Sequence, residues 1–156
     1  MEKTNYFLEY CEVRCTLTVD NVVDSVSHNG ALLQVIGTLD DWKMEKSFTF
    51  TSCDNSNPGS IVINGTDSNP DNHCQWGGLL MVCTADDTTS PWHNFVTDDT
   101  NWVNNEDDTP PCSEQTGFIP AASNQGITFI ADMVDAGAKK IWVESPTVSL
   151  KGTPPT

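Results

Sequence analysis

The side chains able to do chemistry in this chain are few, and their spacing decides what they could do. His28, His73 and His93 supply the imidazole bases. No Gly-x-Ser-x-Gly elbow, His-Glu-x-x-His pair or phosphate-cradling glycine loop accompanies them. His28 stands beside Asn29-Gly30 and reads as a solvated turn residue, while His73 follows Asp71-Asn72 and precedes Cys74. The carboxylate pairs Asp40/Asp41, Asp86/Asp87, Asp98/Asp99 and Asp107/Asp108 invite comparison with the two carboxylates of a glycoside hydrolase. Adjacent residues of an extended chain point to opposite faces, however, so none of these pairs makes a dyad and each reads as solvated loop charge. The expectation is a protein without a catalytic site.

Binding chemistry is better represented. Asp67, Asn69 and Asp71 place oxygen-bearing side chains at alternate positions, as at the start of an EF-hand loop. The loop is not completed, because Asn72 and Gly78 stand where Gly and Glu are needed. A Ca²⁺ site at a sheet edge is the metal reading, against solvated turns; no cofactor is required. Trp92 and Trp102 bracket an Asp-rich stretch, with His93 and Asn94 between them. A pyranose offers an apolar face and fixed hydroxyls, so flat rings beside Asp and Asn are candidate carbohydrate-binding residues. Trp42 and Trp142 read as core, and Trp76 as a loop–strand junction residue.

The elements holding these residues must be cross-linked. Cys11, Cys15, Cys53, Cys74, Cys83 and Cys112 form an even set in a short chain, the pattern of three disulfides in an oxidising compartment. Zinc is the lesser reading, since no second close pair completes a metal spacing. If residues 11–15 are extended, Cys11 and Cys15 lie about 13 Å apart, too far to bond to each other. Each then needs a partner elsewhere. Asn64-Gly65-Thr66 is a glycosylation acceptor and supports secretion. Met1-Glu2-Lys3-Thr4 has no apolar core of a signal peptide, so the expectation is either a signal already removed or an internal module.

Composition narrows the partners. Seven basic against 22 acidic residues give a net charge of −15, which would repel a phosphate backbone or an anionic membrane surface. No apolar run is long enough to span a bilayer. Hydrophobic residues make up 37% of the chain, and Asn, Asp, Ser and Thr together are as numerous, which disfavours a helical bundle.

Strand signals recur along the chain. Residues 5–19 read as one long strand or two joined by a bulge, and residues 22–27 and 32–36 flank an Asn-Gly hairpin turn. Lys46–Thr51 alternates, Ser60–Ile63 is β-branched, and Leu79–Cys83 is apolar on both faces, as in a strand covered on each side. Ile127–Ile130 and Lys140–Val143 read as the last strands, with a short helical turn near Met133–Ala138. A long irregular excursion runs from about residue 84 to 124, its aromatics implying that it folds onto the sandwich. Residues 1–152 read as one all-β antiparallel sandwich module with 153–156 as a tail or linker start, and the stretch Lys151-Gly152-Thr153-Pro154-Pro155-Thr156 looks like the beginning of a linker.

The order of several motifs resembles a known pattern. Thr18-Val19-Asp20-Asn21, His28-Asn29-Gly30, Asp41-Trp42, the Phe48/Phe50 strand and Gly77-Gly78-Leu79-Leu80 follow one another. Thr97–Trp102 and Gly137–Trp142 continue the series. This resembles the galactose-binding-domain-like jelly roll of secreted proteins from marine invertebrates and protists, over roughly residues 10–152. The resemblance implies a jelly-roll sandwich in an extracellular setting, and sugar binding only loosely. The extra cysteines and acidic loops depart from it. The expected function is an extracellular, non-catalytic module for carbohydrate recognition or adhesion, with a carbohydrate or glycoprotein as partner. The second reading is a structural subunit of an extracellular matrix or surface filament, self-associating with identical or related modules. Neither reading involves nucleic acid or membrane insertion.

Overall fold

Every second side chain of the first strand turns inward: Val13, Cys15, Leu17 and Val19 are all buried. In this computed structural model, whose described residues are 10–114 and 127–156, that alternation builds two facing sheets. The strands are β1 Glu12–Asp20, β2 Val22–His28, β3 Ala31–Leu33, β4 Lys46–Thr51, β5 Ile61–Thr66 and β6 Gly78–Ala85. They continue with β7 Trp102–Asn104, β8 Cys112–Glu114, β9 Lys140–Trp142 and β10 Thr147–Gly152. Two helices, α1 His73–Trp76 and α2 Thr128–Asp135, complete the described elements. The first sheet runs β4-β1-β6-β9-β8 and the second β3-β2-β5-β10-β7, with every pairing antiparallel. Val13, Leu17, Phe48, Leu79 and Met81 from one sheet pack with Val23, Val26, Ile61, Ile63 and Leu150 from the other in one core. The fold is an all-β antiparallel sandwich.

Local chemistry explains the edges. Asn29 (φ 50°) and Gly30 (φ 83°) make the two-residue hairpin between β2 and β3, where both positions need positive φ. All six cysteines are paired, as Cys11–Cys53, Cys15–Cys83 and Cys74–Cys112, so Cys11 and Cys15 do take separate partners. β6 is covered along its inner face and over part of its outer one: Leu79, Met81 and Cys83 face the main core, and Leu80 joins a second small core under α2.

Three expectations are corrected. Ile127–Ile130 is not a strand; α2 begins at Thr128, because Ile130 and Met133 fall one helical turn apart and both bury against Leu80. Lys151 and Gly152 do not begin a linker but end β10, a strand paired on both sides. Beyond them Thr153 donates its backbone N–H to Asn101, and Pro154 is buried. The excursion after residue 84 is less irregular than expected, since it contributes β7 and β8, one edge strand to each sheet. Its residues 115–124, like 5–9 of the first strand, lie outside the described residues. No helix among the described residues is long and apolar enough to cross a membrane.

Candidate functional site

The register of β1 against β6 sets Arg14 beside Thr84 and Thr16 beside Val82 on the outer face of the first sheet. α2 lies over part of that face, where Ile130 and Met133 cover Leu80. Beside the helix the sheet stays open, leaving a groove of about 350 Å³. Its floor is Thr16, Val82 and Thr84; one wall is Phe129, Asp132 and Met133; Arg14 and Glu45 stand on the other side. The wall residues follow i, i+3, i+4 spacing and so share one helical face.

This groove mixes functional groups that suit a polyhydroxylated ligand. The threonine hydroxyls both donate and accept, Glu45 and Asp132 accept, and Arg14 donates. Val82, Met133 and the half-buried Phe129 ring supply apolar surface among them. The Arg14 guanidinium bonds Glu12 at 3.1 Å and also the Asp86 carboxylate. Asp86 first, then Glu12, raises its pKa, so it stays a fixed cation whose charge is already matched.

The aromatic residues expected to hold a sugar are elsewhere. Trp92 is 0% and Trp102 1% exposed, so neither ring offers a face to solvent. Trp92 packs edge-on against Phe50 and Phe95 and donates its indole N–H to Pro58 O at 3.0 Å; Trp102 donates to Val96 O. Nδ1 of His93 accepts the Ala85 N–H at 3.1 Å, and Asn94 is an exposed turn residue with φ 62°. These four residues shape the interior and a turn; they do not form one sugar-facing surface. His28 is corrected too. Its ring is half buried, 4.2 Å from the Phe50 ring, and burial lowers its pKa.

The proposed metal residues also part company. One Asp67 oxygen accepts from the Asn69 backbone and side chain, and the other meets His73 Nδ1 at 2.7 Å. Asp71 is exposed and contacts Asn72. Among the described residues, no three His, Cys, Asp or Glu side chains converge on a common point. Asn64 sits mid-strand in β5 and donates from Nδ2 to Ser25 Oγ at 2.8 Å. Its inward neighbours Ile63 and Gly65 are buried, so it faces outward from the second sheet, away from the groove on the first.

Asp67 and His73 belong to a buried polar cluster under α1. The Glu144 carboxylate caps that helix by accepting the His73 and Cys74 N–H groups at 2.7 and 3.1 Å. Burial and then the Asp67 charge push Asp20 up to about 6, opposed by Lys140. A raised carboxylate pKa means the fold favours the protonated form, so this contribution is full below about pH 4 and is lost as pH rises through 6. Asp20→Asn should therefore stabilise the protein at pH 7 by on the order of 1–2 kcal/mol, after allowance for solvent screening. Denaturant unfolding at pH 4 and pH 7 checks it; an advantage that shrinks with rising pH would contradict the assignment.

Sequence reading missed the groove because its residues come from four separate segments and form no local motif. The only readable signals were helical spacing at Phe129, Asp132 and Met133 and the outward phase of Arg14 and Thr16 in an alternating strand. No family model, curated protein or solved structure matches the chain.

Proposed function

We propose that the protein is a non-catalytic extracellular module for carbohydrate recognition or adhesion, and that its ligand is a neutral mono- or disaccharide unit held in the groove beside α2. The observation carrying this reading is the groove itself, which hydroxyls, carboxylates and a guanidinium line together with a half-buried aromatic side chain. Its volume lies at the low end of small-molecule sites, which run from ~300 to 1,000 Å³. A sugar would lay its apolar face on Phe129 and Val82 and share its hydroxyls among Thr16, Thr84, Glu45 and Asp132. An anionic sugar is disfavoured by those two carboxylates, by the prior pairing of Arg14 and by the net charge of −15.

The setting supports the reading. Three disulfides indicate an oxidising, extracellular-type environment. A glycan on Asn64 would stand on the second sheet and leave the groove open. The sandwich architecture is of the kind that the galactose-binding-like resemblance implies, and membership of that group is part of the proposal.

A glycan array probed with the oxidised protein, with calcium and with EDTA, tests it. Binding should favour neutral over sialylated or sulfated glycans in both buffers. Phe129→Ala should weaken that binding about tenfold, through loss of the apolar face. Selection of anionic glycans, or unchanged affinity in the Phe129 variant, would contradict the reading.

A further inference from the structure

Six large hydrophobic residues are exposed in the described chain, and four of them, Leu32, Ile36, Leu39 and Met44, lie within one short stretch. That stretch closes one side of the sandwich. Leu33 pairs with Val26 in β2, the Val23 N–H reaches Leu39 O at 2.8 Å, and Ile36 bridges to Ser47 in β4. Leu33 and Val35 pack on the core, so alternation turns Leu32, Gln34 and Ile36 outward. Gly37, at φ 119°, sits so close to Glu45 that a Cβ would lie 2.6 Å from its carbonyl oxygen, which brings Ile36 next to the 44–46 segment.

The apolar side chains are presented on a fixed base. Lys46 is fully buried beneath the loop, where its ammonium donates to the carbonyls of Asp41 and Met44 and to Thr18 Oγ1. Thr18 in turn donates to Trp42 O at 2.6 Å. A surface already ordered loses little entropy on docking. Beside the apolar residues stand Asp40 and Glu45, both exposed, and the half-buried Asp41, with Lys43 the one exposed cation of the stretch.

From this we infer that the 32–44 flank is a protein-docking surface for a basic amphipathic segment, one with an apolar face bordered by Lys or Arg. The apolar residues and the surrounding carboxylates require both halves of that description, and the net charge of −15 opposes a second copy of this chain. This surface adjoins the saccharide groove at Glu45 and shares none of the groove's other lining residues.

The probe is a synthetic helical Leu/Lys peptide with leucines at i, i+3, i+4, i+7 spacing, set against a Leu/Glu peptide of the same apolar face, by calorimetry at about 0.15 M salt. The Leu/Lys peptide should bind at one site and the Leu/Glu peptide should not. Leu32→Ser/Ile36→Ser should weaken binding at least about tenfold with an unchanged melting temperature. Asp40→Asn/Asp41→Asn should weaken it and reduce its salt dependence, while Phe129→Ala leaves it intact. Equal binding by the Leu32/Ile36 variant would mean unspecific charge attraction and overturn the proposal. So would absence of binding, or sedimentation showing a dimer that the Leu32/Ile36 variant abolishes.

Discussion

Trp92→Ala should destabilise the protein by ~3–5 kcal/mol, because the change empties a fully buried site with little freedom to collapse. Phe50 and Phe95 close on the indole edge-to-face at 5.0 and 5.1 Å, and removal of the ring would also leave Pro58 O without its 3.0 Å donor. For a chain of this length the loss corresponds to roughly 10–15 °C in melting temperature. Trp92→Phe should fall between the two, since it keeps part of the ring packing and loses the hydrogen bond. Thermal and urea unfolding of the three proteins would decide it. A change within about 0.5 kcal/mol of wild type would mean that Trp92 is a surface residue after all.

A similar loss is expected on removing the Cys15–Cys83 bond. It joins directly opposite residues of β1 and β6, both buried, and closes a loop with a sequence separation of 68. Cross-linking a loop of that size stabilises by about 4 kcal/mol through the unfolded chain. Cys15→Ala/Cys83→Ala should lose about that much, and a doubly substituted protein melting like wild type would contradict it. Burial also orders the reactivity. Cys53 is exposed, so graded reduction followed by alkylation and mass analysis should label the Cys11–Cys53 pair before Cys15 and Cys83. No cysteine should label before reduction.

Much of the sandwich was legible because sheet formation leaves a period of two in the sequence. Lys46–Thr51 showed it directly, Leu79–Cys83 was legible instead as a short run apolar on both faces, and Asn29-Gly30 announced its own backbone. Ile127–Ile130 did not, because a short apolar run has the same appearance in a strand and in the first turn of a buried helix. The buried pair Ile130 and Met133, one turn apart, carried the better signal. Lys151-Gly152 looked like a tail for the opposite reason: the ring of Trp102 packs where a Gly152 side chain would be, so a core requirement appeared as a flexible residue.

Function was harder to read for a physical reason. A tryptophan in an Asp-rich loop has the same local sequence whether its ring faces water or the core; Trp92 and Trp102 face the core. Asp67 likewise looked like a metal ligand, yet it turns inward to His73. The groove exists only through sheet register and the placement of α2, and neither is encoded near any one of its residues.

The central claim, that the face beside α2 is a recognition site, is tested most directly by amide NMR of the oxidised protein titrated with neutral oligosaccharides. The account predicts saturable shifts concentrated at Thr16, Val82, Thr84, Phe129 and Asp132, with little change around Trp92 and Trp102. Shifts confined to the 92–102 loop, or no saturable shifts at all, would contradict it.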